Sequence, residues 1–374
     1  MIPLTIPSLG DEETRATAEV IRGGWVTQGP KVAEFERLMA ASCGTSHAVA
    51  VSNCTTALHL ALVALGVGPG DEVIVPSMSF IATANAVRHA GATPVFAEVD
   101  PRTFNLDPDA AEAAITARTK VVMPVHQIGL PADIDRFVDL GRRRGVQILE
   151  DAACAIGSRY KGRPIGGDGA MACFSFHPRK VLTTGEGGMI TTNDAALADR
   201  LRLLRQHAMS VKDTERHAAK TVVIEEYLFV GYNYRMTDIQ AAMGIEQMKK
   251  LPGIIARRRQ LAERYRVKLE KHPWIEPPFI PEWAEPSFQS YAVTLRENAP
   301  FARQDLMQRL LDAGIATRRG IMLSHQEAPY AAAGTSLPRS EQASARSLLI
   351  PLYPQMTDAE QDTVVEALFA LANA

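Results

Sequence analysis

From about residue 46 the chain alternates short runs rich in β-branched and aliphatic residues with stretches whose apolar positions recur every three or four residues. The runs are HAVAVS (47–52), DEVIVPS (71–77), TPVFAEVD (93–100), KVVMPVH (120–126) and VQILED (146–151). Between them the pattern is helical; in TTALHLALVALG, Leu58, Ala61, Leu62 and Leu65 fall at i, i+3, i+4 and i+7. Strands that alternate with helices predict an α/β fold with a mostly parallel sheet covered on both faces, and near-continuous apolar strands fit that double burial.

After VQILED the rhythm changes. YKGRPIGGDG reads as a Gly-rich hairpin or loop, AMACFSFH and GGMITT as two further strands, and AALADRLRLLRQH as a helix. The polar stretch at 209–226 reads as an excursion or lid. A long helical pattern from Thr237 to about Leu269 is interrupted by Pro252-Gly253, where we place the domain boundary. Residues 1–250 then form a large domain with an N-terminal arm, and residues 251–374 a smaller α+β domain. The segment 272–286 holds five of the 23 prolines and is expected to cross as extended chain. SYAVTL follows as a strand.

Charge narrows the function. Forty Lys and Arg against 42 Asp and Glu give a net charge of -2, which provides no field for gathering phosphate backbones or anionic lipid, so neither nucleic acid nor membrane is an expected partner. Charge, Gly or Pro interrupts the apolar stretches well before the roughly 18 residues a membrane span needs. MIPLTIPSLGDEE lacks the basic and apolar regions of a signal peptide. Cys43, Cys54, Cys154 and Cys173 show no CxxC spacing. These features place the protein in a reducing cytoplasm. No HExxH or paired ligand spacing accompanies the histidines, so no metal site is expected.

Three features lie close together. Glu150-Asp151 ends one predicted strand, the segment from Ser175 to Lys180 follows the end of another, and Gly185-Glu186-Gly187-Gly188 comes next. Ligands of open α/β sheets sit beyond the carboxyl ends of the strands, so Asp151 and Lys180 are expected to face one crevice. Pyridoxal phosphate needs such a pair: a lysine to hold its aldehyde as a Schiff base and an acid on its ring nitrogen. Opposite charges about 4 Å apart at an effective dielectric near 20 attract by roughly 4 kcal/mol, enough to raise the ring nitrogen's pKa by about three units before desolvation. Asn53-Cys54-Thr55-Thr56, between a strand and a helix starting at Ala57, offers backbone N–H groups and hydroxyls to a phosphate. Ser175 can add a hydroxyl, and Phe80 is placed to stack on the ring. Taken singly, each has an ordinary reading: Asp151 as a cap, Lys180 as a surface lysine, Thr55 as a helix cap, Phe80 as core, and His177 and His325 as packing residues. The joint order on strand ends distinguishes the functional reading.

Together with these motifs, GGWVTQGPKVAEFE, SNCTTALHLAL, GVGPGDEVIVPS, GATPVFAEVD, EDAACAIGS, SFHPRKVLTTGEGG and GYNYRMTDIQAAMG give a sequence that resembles the DegT/DnrJ/StrS aminotransferases from about residue 5 to the C-terminus. The resemblance implies a fold-type I pyridoxal phosphate transferase in which Lys180 carries the cofactor and Asp151 pairs with its ring nitrogen. It further implies that Cys54, Thr55 and Ser175 bind phosphate, that Phe80 stacks on the ring and that Cys154 lies near the phenolic oxygen. Asn233 and Arg235 would reach the phosphate of a neighbouring subunit's cofactor in a homodimer with shared active sites. Thr27, Arg318 and His325 would approach the substrate. The implied reaction moves an amino group from an amino acid, by family habit L-glutamate, to a nucleotide-linked keto sugar, with a 4-keto-6-deoxyhexose favoured over other keto sugars. A free cyclitol ketone, or a cofactor-binding regulator without turnover, are the alternatives. Two residues depart from the family pattern: Cys154 replaces the usual Gln or His, and Cys54 the usual Gly. Lys180 argues against the dehydrating branch, which carries His there. A Rossmann oxidoreductase fits poorly, because Gly66-Val67-Gly68-Pro69-Gly70 follows a helix and precedes a strand.

Overall fold

The computed structural model describes residues 1–211 and 219–372. Helices α1 (Asp11–Gly23) and α2 (Pro30–Cys43) lead into β1 (His47–Val51), α3 (Cys54–Ala64), β2 (Glu72–Pro76), α4 (Ala82–His89) and β3 (Thr93–Ala97). Then come α5 (Pro108–Ala113), β4 (Thr119–Val122), α6 (Ile134–Arg144), β5 (Gln147–Asp151), the short strands β6 (Arg159–Tyr160) and β7 (Arg163–Pro164), β8 (Met171–Ser175), β9 (Gly188–Thr192) and α7 (Ala195–Leu204). The seven-stranded sheet runs β1-β9-β8-β5-β4-β2-β3. Only β9 is reversed, lying antiparallel to β1 and β8. The predicted mostly parallel α/β sheet is therefore present.

Period-two alternation sends neighbouring residues of each strand to opposite cores. Ala50, Ile74, Val122, Ile148, Phe174 and Met189 join Phe35, Met39, Phe137 and Leu140 on one face. Val51, Val75, Val121, Leu149, Cys173 and Ile190 join Leu58, Leu62, Val87 and Leu201 on the other. Apolar residues on both faces give the unbroken hydrophobic runs of the sequence a physical cause. β4 stops at Val122, and Pro124, which lacks an N–H, follows; Val125 then bridges Asp151.

β6 and β7 form the expected hairpin, with the two turn residues Lys161 and Gly162 at φ of 48° and 77°. Positive φ at both central positions matches the twist of the flanking strands. The stretch 209–226 is described only at its flanks, where Met209 bridges Tyr227; residues 212–218, the centre of the expected lid, lie outside the described residues.

One expectation about the helices is corrected. Pro252-Gly253 interrupts nothing, because α8 (Asp238–Leu269) runs unbroken for 32 residues. Both residues sit on the exposed side of the helix, so water can reach the carbonyl whose helical bond the proline removes. A proline inside a helix costs about 3 kcal/mol, and burial of Leu251, Ile254 and Ile255 on the inner side offsets it at roughly 1.5–3 kcal/mol each. The helix passes from the large-domain core at Ile255 to a second core at Leu261. We propose that the division near residue 250 falls within this shared helix.

The second core is built on β10 (Ile275–Glu276), β12 (Tyr291–Leu295), β14 (Ser347–Ile350) and β13 (Arg318–Arg319), in that order across an antiparallel sheet. Around it lie α9 (Arg303–Asp312), α10 (Pro338–Arg346) and α11 (Asp358–Ala372). The proline-rich crossing is extended, and its β11 (Ala284–Glu285) pairs with β6. The N-terminal arm reaches this domain, with Ile2 bridging Ile315.

Candidate active site

Because β1, β2, β5 and β8 point the same way, the loops that follow them emerge on one edge. Reversed β9 begins on that edge: Gly188 stands opposite Val51 and Ser175, the last residues of β1 and β8. A Cβ at Gly188 would meet the Asn53 carbonyl at 2.5 Å and the Cys54 nitrogen at 2.8 Å. Only glycine lets the helix start and Ser175 close around this point.

The α3 start differs from expectation by one turn, since the helix begins at Cys54 and not at Ala57. Asn53 Oδ1 accepts from the Thr56 N–H at 2.9 Å, while the Asn53 N–H donates to the Thr56 hydroxyl at 3.2 Å. This reciprocal cap occupies Thr56. The Cys54 and Thr55 N–H groups, which a first helical turn leaves without intrahelical partners, point the cradle toward an anion.

At the end of β5, Asp151 is only 4% exposed. Its carboxylate accepts from the Thr83 hydroxyl at 2.8 Å and from the Ala153 N–H at 3.1 Å. Burial pushes its pKa up against the opposing pull of those hydrogen bonds and of Lys180 and His126. Among the described residues no cation forms a close ion pair with it. The neighbouring His126 accepts from the Ala132 N–H at Nδ1 (3.0 Å), so its proton sits on Nε2 and donates to Glu150 at 2.9 Å. This buried pair holds the strand end from the opposite face.

Lys180, in the loop after β8, is partly buried and donates from Nζ to the Cys154 sulfur at 3.1 Å. Burial disfavours its ammonium, but Cys154, Cys54 and Asp151 outweigh that effect and leave its pKa above the ordinary lysine value. The same groups act on Cys54, whose thiol burial pushes well up. Lys180, Asp151, Cys54 and Cys154 thus share one electrostatic neighbourhood. Phe80 lies in the loop after β2 and is 57% exposed.

Asn233 and Arg235 sit beside this cradle. The Ser52 N–H donates to the Tyr234 carbonyl at 2.9 Å, which fixes their segment against the loop after β1. Tyr232 and Tyr234 stack at 4.9 Å and pack on His59. Alternation along extended chain turns Asn233 and Arg235 the other way, and Asn233 is exposed. Thr27 is exposed; its carbonyl accepts from the Asp238 N–H at 3.0 Å, while the Asp238 carboxylate accepts from Gly29, Lys31 and Val32 at the start of α2. Arg318 opens β13, partly exposed.

His325 lies deeper than Thr27 and Arg318. It is 3% exposed, with Nδ1 bonded to the Ser77 hydroxyl and Nε2 3.2 Å from Glu341. Both ring nitrogens are engaged within the chain, so His325 ties the small domain to the end of β2 and presents no free nitrogen to a substrate. Sequence reasoning missed Thr83, His126 and Gly188 as supports of the site. Gly188 alone carried a signal, as the last residue of the Gly185–Gly188 cluster.

The residues fit pyridoxal phosphate. A primary amine, a buried carboxylate lacking a paired cation and an anion cradle at a helix start match its aldehyde, ring nitrogen and phosphate. Fold and site together define a pyridoxal phosphate-dependent transferase. The chain belongs to the DegT/DnrJ/EryC1/StrS aminotransferase family, whose pattern matches residues 7–369. It is 39% identical over 373 residues to the spore coat polysaccharide biosynthesis protein SpsC of Bacillus subtilis (strain 168), covering 98% of this chain and 96% of that one. It superposes with a TM-score of 0.91 on DesV of S. venezuelae, solved in complex with a ketimine intermediate, at 36% identity over 100% of this chain and 99% of the other. The pyridoxal phosphate form of the putative sugar aminotransferase Spr1654 of Streptococcus pneumoniae gives a TM-score of 0.92 at 29% identity, over 100% and 98% of the two chains. The protein is a pyridoxal phosphate-dependent aminotransferase. Among the described residues no helix is long and apolar enough to cross a membrane.

Proposed function

We propose that this aminotransferase acts on a nucleotide-linked keto sugar, a 4-keto-6-deoxyhexose, with L-glutamate as amino donor, and yields an amino sugar. The likeness to SpsC, a polysaccharide biosynthesis protein, over nearly the whole of both chains carries the reading. The amine of Lys180 beside a buried acid supports it chemically.

Bound pyridoxal phosphate supplies an aldehyde for Lys180 to hold and a cationic ring that withdraws electrons. Asp151 keeps the proton on the ring nitrogen, a task its buried and unpaired carboxylate suits. Cys54, Thr55 and Ser175 hold the phosphate, and Phe80 covers one ring face. When not holding the aldehyde, the Lys180 Nζ would serve as the base that carries the proton from the donor's α-carbon. Cys154 Sγ lies 3.1 Å from that nitrogen. Thr27 and Arg318 line the sugar side, and His325 positions the loop that carries the substrate-facing wall.

Asn233 and Arg235 complete the phosphate site of a partner subunit in a homodimer. Their outward direction supports this, as do the exposed side chains of Val222, Ile224 and Val230 nearby in sequence, at 92%, 84% and 85%. The protein works in the cytoplasm. The test is to load the protein with pyridoxamine 5'-phosphate and offer UDP-, dTDP- and GDP-4-keto-6-deoxyhexoses and scyllo-inosose. Return of the visible absorbance with one 4-keto sugar is expected. Return with the cyclitol alone, or with none, refutes the proposed substrate.

A further inference from the structure

The surroundings of the four cysteines sort them. Cys43 and Cys173 are buried in the two cores, and burial pushes the Cys54 thiol well up. Cys154 differs, being partly exposed and directly hydrogen-bonded by a primary amine, with Sγ 3.1 Å from Lys180 Nζ. That separation is already within near-attack range for bond formation between the two atoms.

We propose that Cys154 and Lys180 form a reversible peroxide-sensitive pair, joined by a sulfur–nitrogen bond when Lys180 is not holding the cofactor. The inference rests on the reading that Lys180 is the cofactor-bearing residue. Hydrogen peroxide first oxidises the thiol by two electrons: the O–O bond breaks, one oxygen goes to sulfur as a sulfenic acid and the other leaves as water. The Lys180 ammonium gives up one proton to solvent, and the freed nitrogen lone pair then attacks the sulfur. The S–N bond forms, the S–O bond breaks, and the hydroxyl leaves with an amine proton as a second water. The chain ends two hydrogens lighter and the peroxide is fully reduced. A dithiol reverses the link by attacking sulfur and returning the amine, with the dithiol itself becoming the disulfide. The link removes the one amine that the reaction cycle requires, so it silences the aminotransferase in its pyridoxamine form and spares the form in which Lys180 is occupied.

The experiment compares protein loaded with pyridoxamine 5'-phosphate and with pyridoxal 5'-phosphate, each exposed to hydrogen peroxide and mapped by peptide mass spectrometry without reduction. The expected product is a cross-linked pair of peptides carrying Cys154 and Lys180. It should be at least about tenfold more abundant in the pyridoxamine form, where the nitrogen is free to attack, and dithiothreitol should remove it. Cys154→Ser should give none. Sulfinic or sulfonic acid at Cys154 with an unlinked Lys180, a Cys54–Cys154 disulfide in place of the link, or equal yields from both forms would overturn the proposal. Borohydride reduction and mapping of the pyridoxal form separately identifies the cofactor-bearing residue. A missing link with Lys180 labelled refutes the cross-link alone, whereas a label elsewhere refutes the reading beneath it.

Discussion

Replacing Asp151 by Asn removes one charge and almost no volume, and it separates what the carboxylate does for catalysis from what it costs the fold. Asp151 is 4% exposed, and burial holds its pKa up while no cation pairs with it closely. An acid whose pKa is raised on folding loses stability as pH climbs from its unfolded value towards its folded one. The Asn side chain can keep the hydrogen bond from Ala153, and the Thr83 hydroxyl can turn to accept from the amide while donating to Ser79 at 2.8 Å. The apoprotein of Asp151→Asn should therefore melt above that of the wild type at pH 7. Catalysis should move the opposite way. A ring nitrogen about 4 Å from the carboxylate at an effective dielectric near 20 is stabilised as a cation by roughly 4 kcal/mol, which corresponds to about a thousandfold in rate if the full charge is used in the transition state. Single-turnover absorbance decay with L-glutamate, alongside calorimetric melting of both apoproteins, measures the two effects. A variant that keeps more than about a tenth of the wild-type rate would refute the role of the charge. A lower apoprotein melting temperature would refute the burial argument.

Lys180→Ala should fold, as judged by circular dichroism, yet lose turnover by about 10⁴-fold or more and yield no borohydride-fixed cofactor, because the covalent anchor and the proton carrier are the same atom. Gly188→Ala places a methyl group 2.5 Å from the Asn53 carbonyl and should cost about 1–3 kcal/mol in stability. Cofactor titration should show weakened binding in the same variant, since the displaced atoms belong to the phosphate cradle. His272 is fully buried; its Nδ1 accepts from the Ile275 N–H at 3.1 Å, so its Nε2 carries the proton donated to the Leu368 carbonyl, and burial lowers its pKa. Below the ordinary histidine value of about 6.5 the unfolded chain binds a proton that the folded chain disfavours, so stability should fall as pH drops through that region. Urea midpoints from pH 8 to 5 should show the fall, with a shallower slope in His272→Gln.

Much of the large domain could be read along the chain because its signals are local. Strand burial on both faces leaves unbroken apolar runs, and the stops after Asp151 and Ser175 mark where loops carry chemistry. The errors arose where an environment distant in sequence decides the outcome. Pro252 breaks a helix in isolation, but here its side of α8 faces water and the opposite side is buried in the large core. His325 gives no local sign of its partners, yet folding carries Ser77 and Glu341 to its two nitrogens from 248 and 16 residues away. Thr83 gives no sign of its bond to Asp151, 68 residues on, because a hydroxyl in a helix reads the same whether it meets water or a carboxylate.

The order of residues alone determined that this chain forms an open α/β sheet, that Lys180 and Asp151 sit on the same edge of it, and that a helix start beside them can take an anion. Strand period, strand direction and first-turn helix geometry are properties of short stretches, so they survive being read without a fold. Tertiary structure decided that Cys154 lies against the Lys180 nitrogen, that Gly188 closes the cradle between β1 and β8, and that His325 bonds Ser77 and Glu341. Those outcomes depend on how far apart in space residues come to rest when two cores pack on one sheet, and no local pattern encodes that distance.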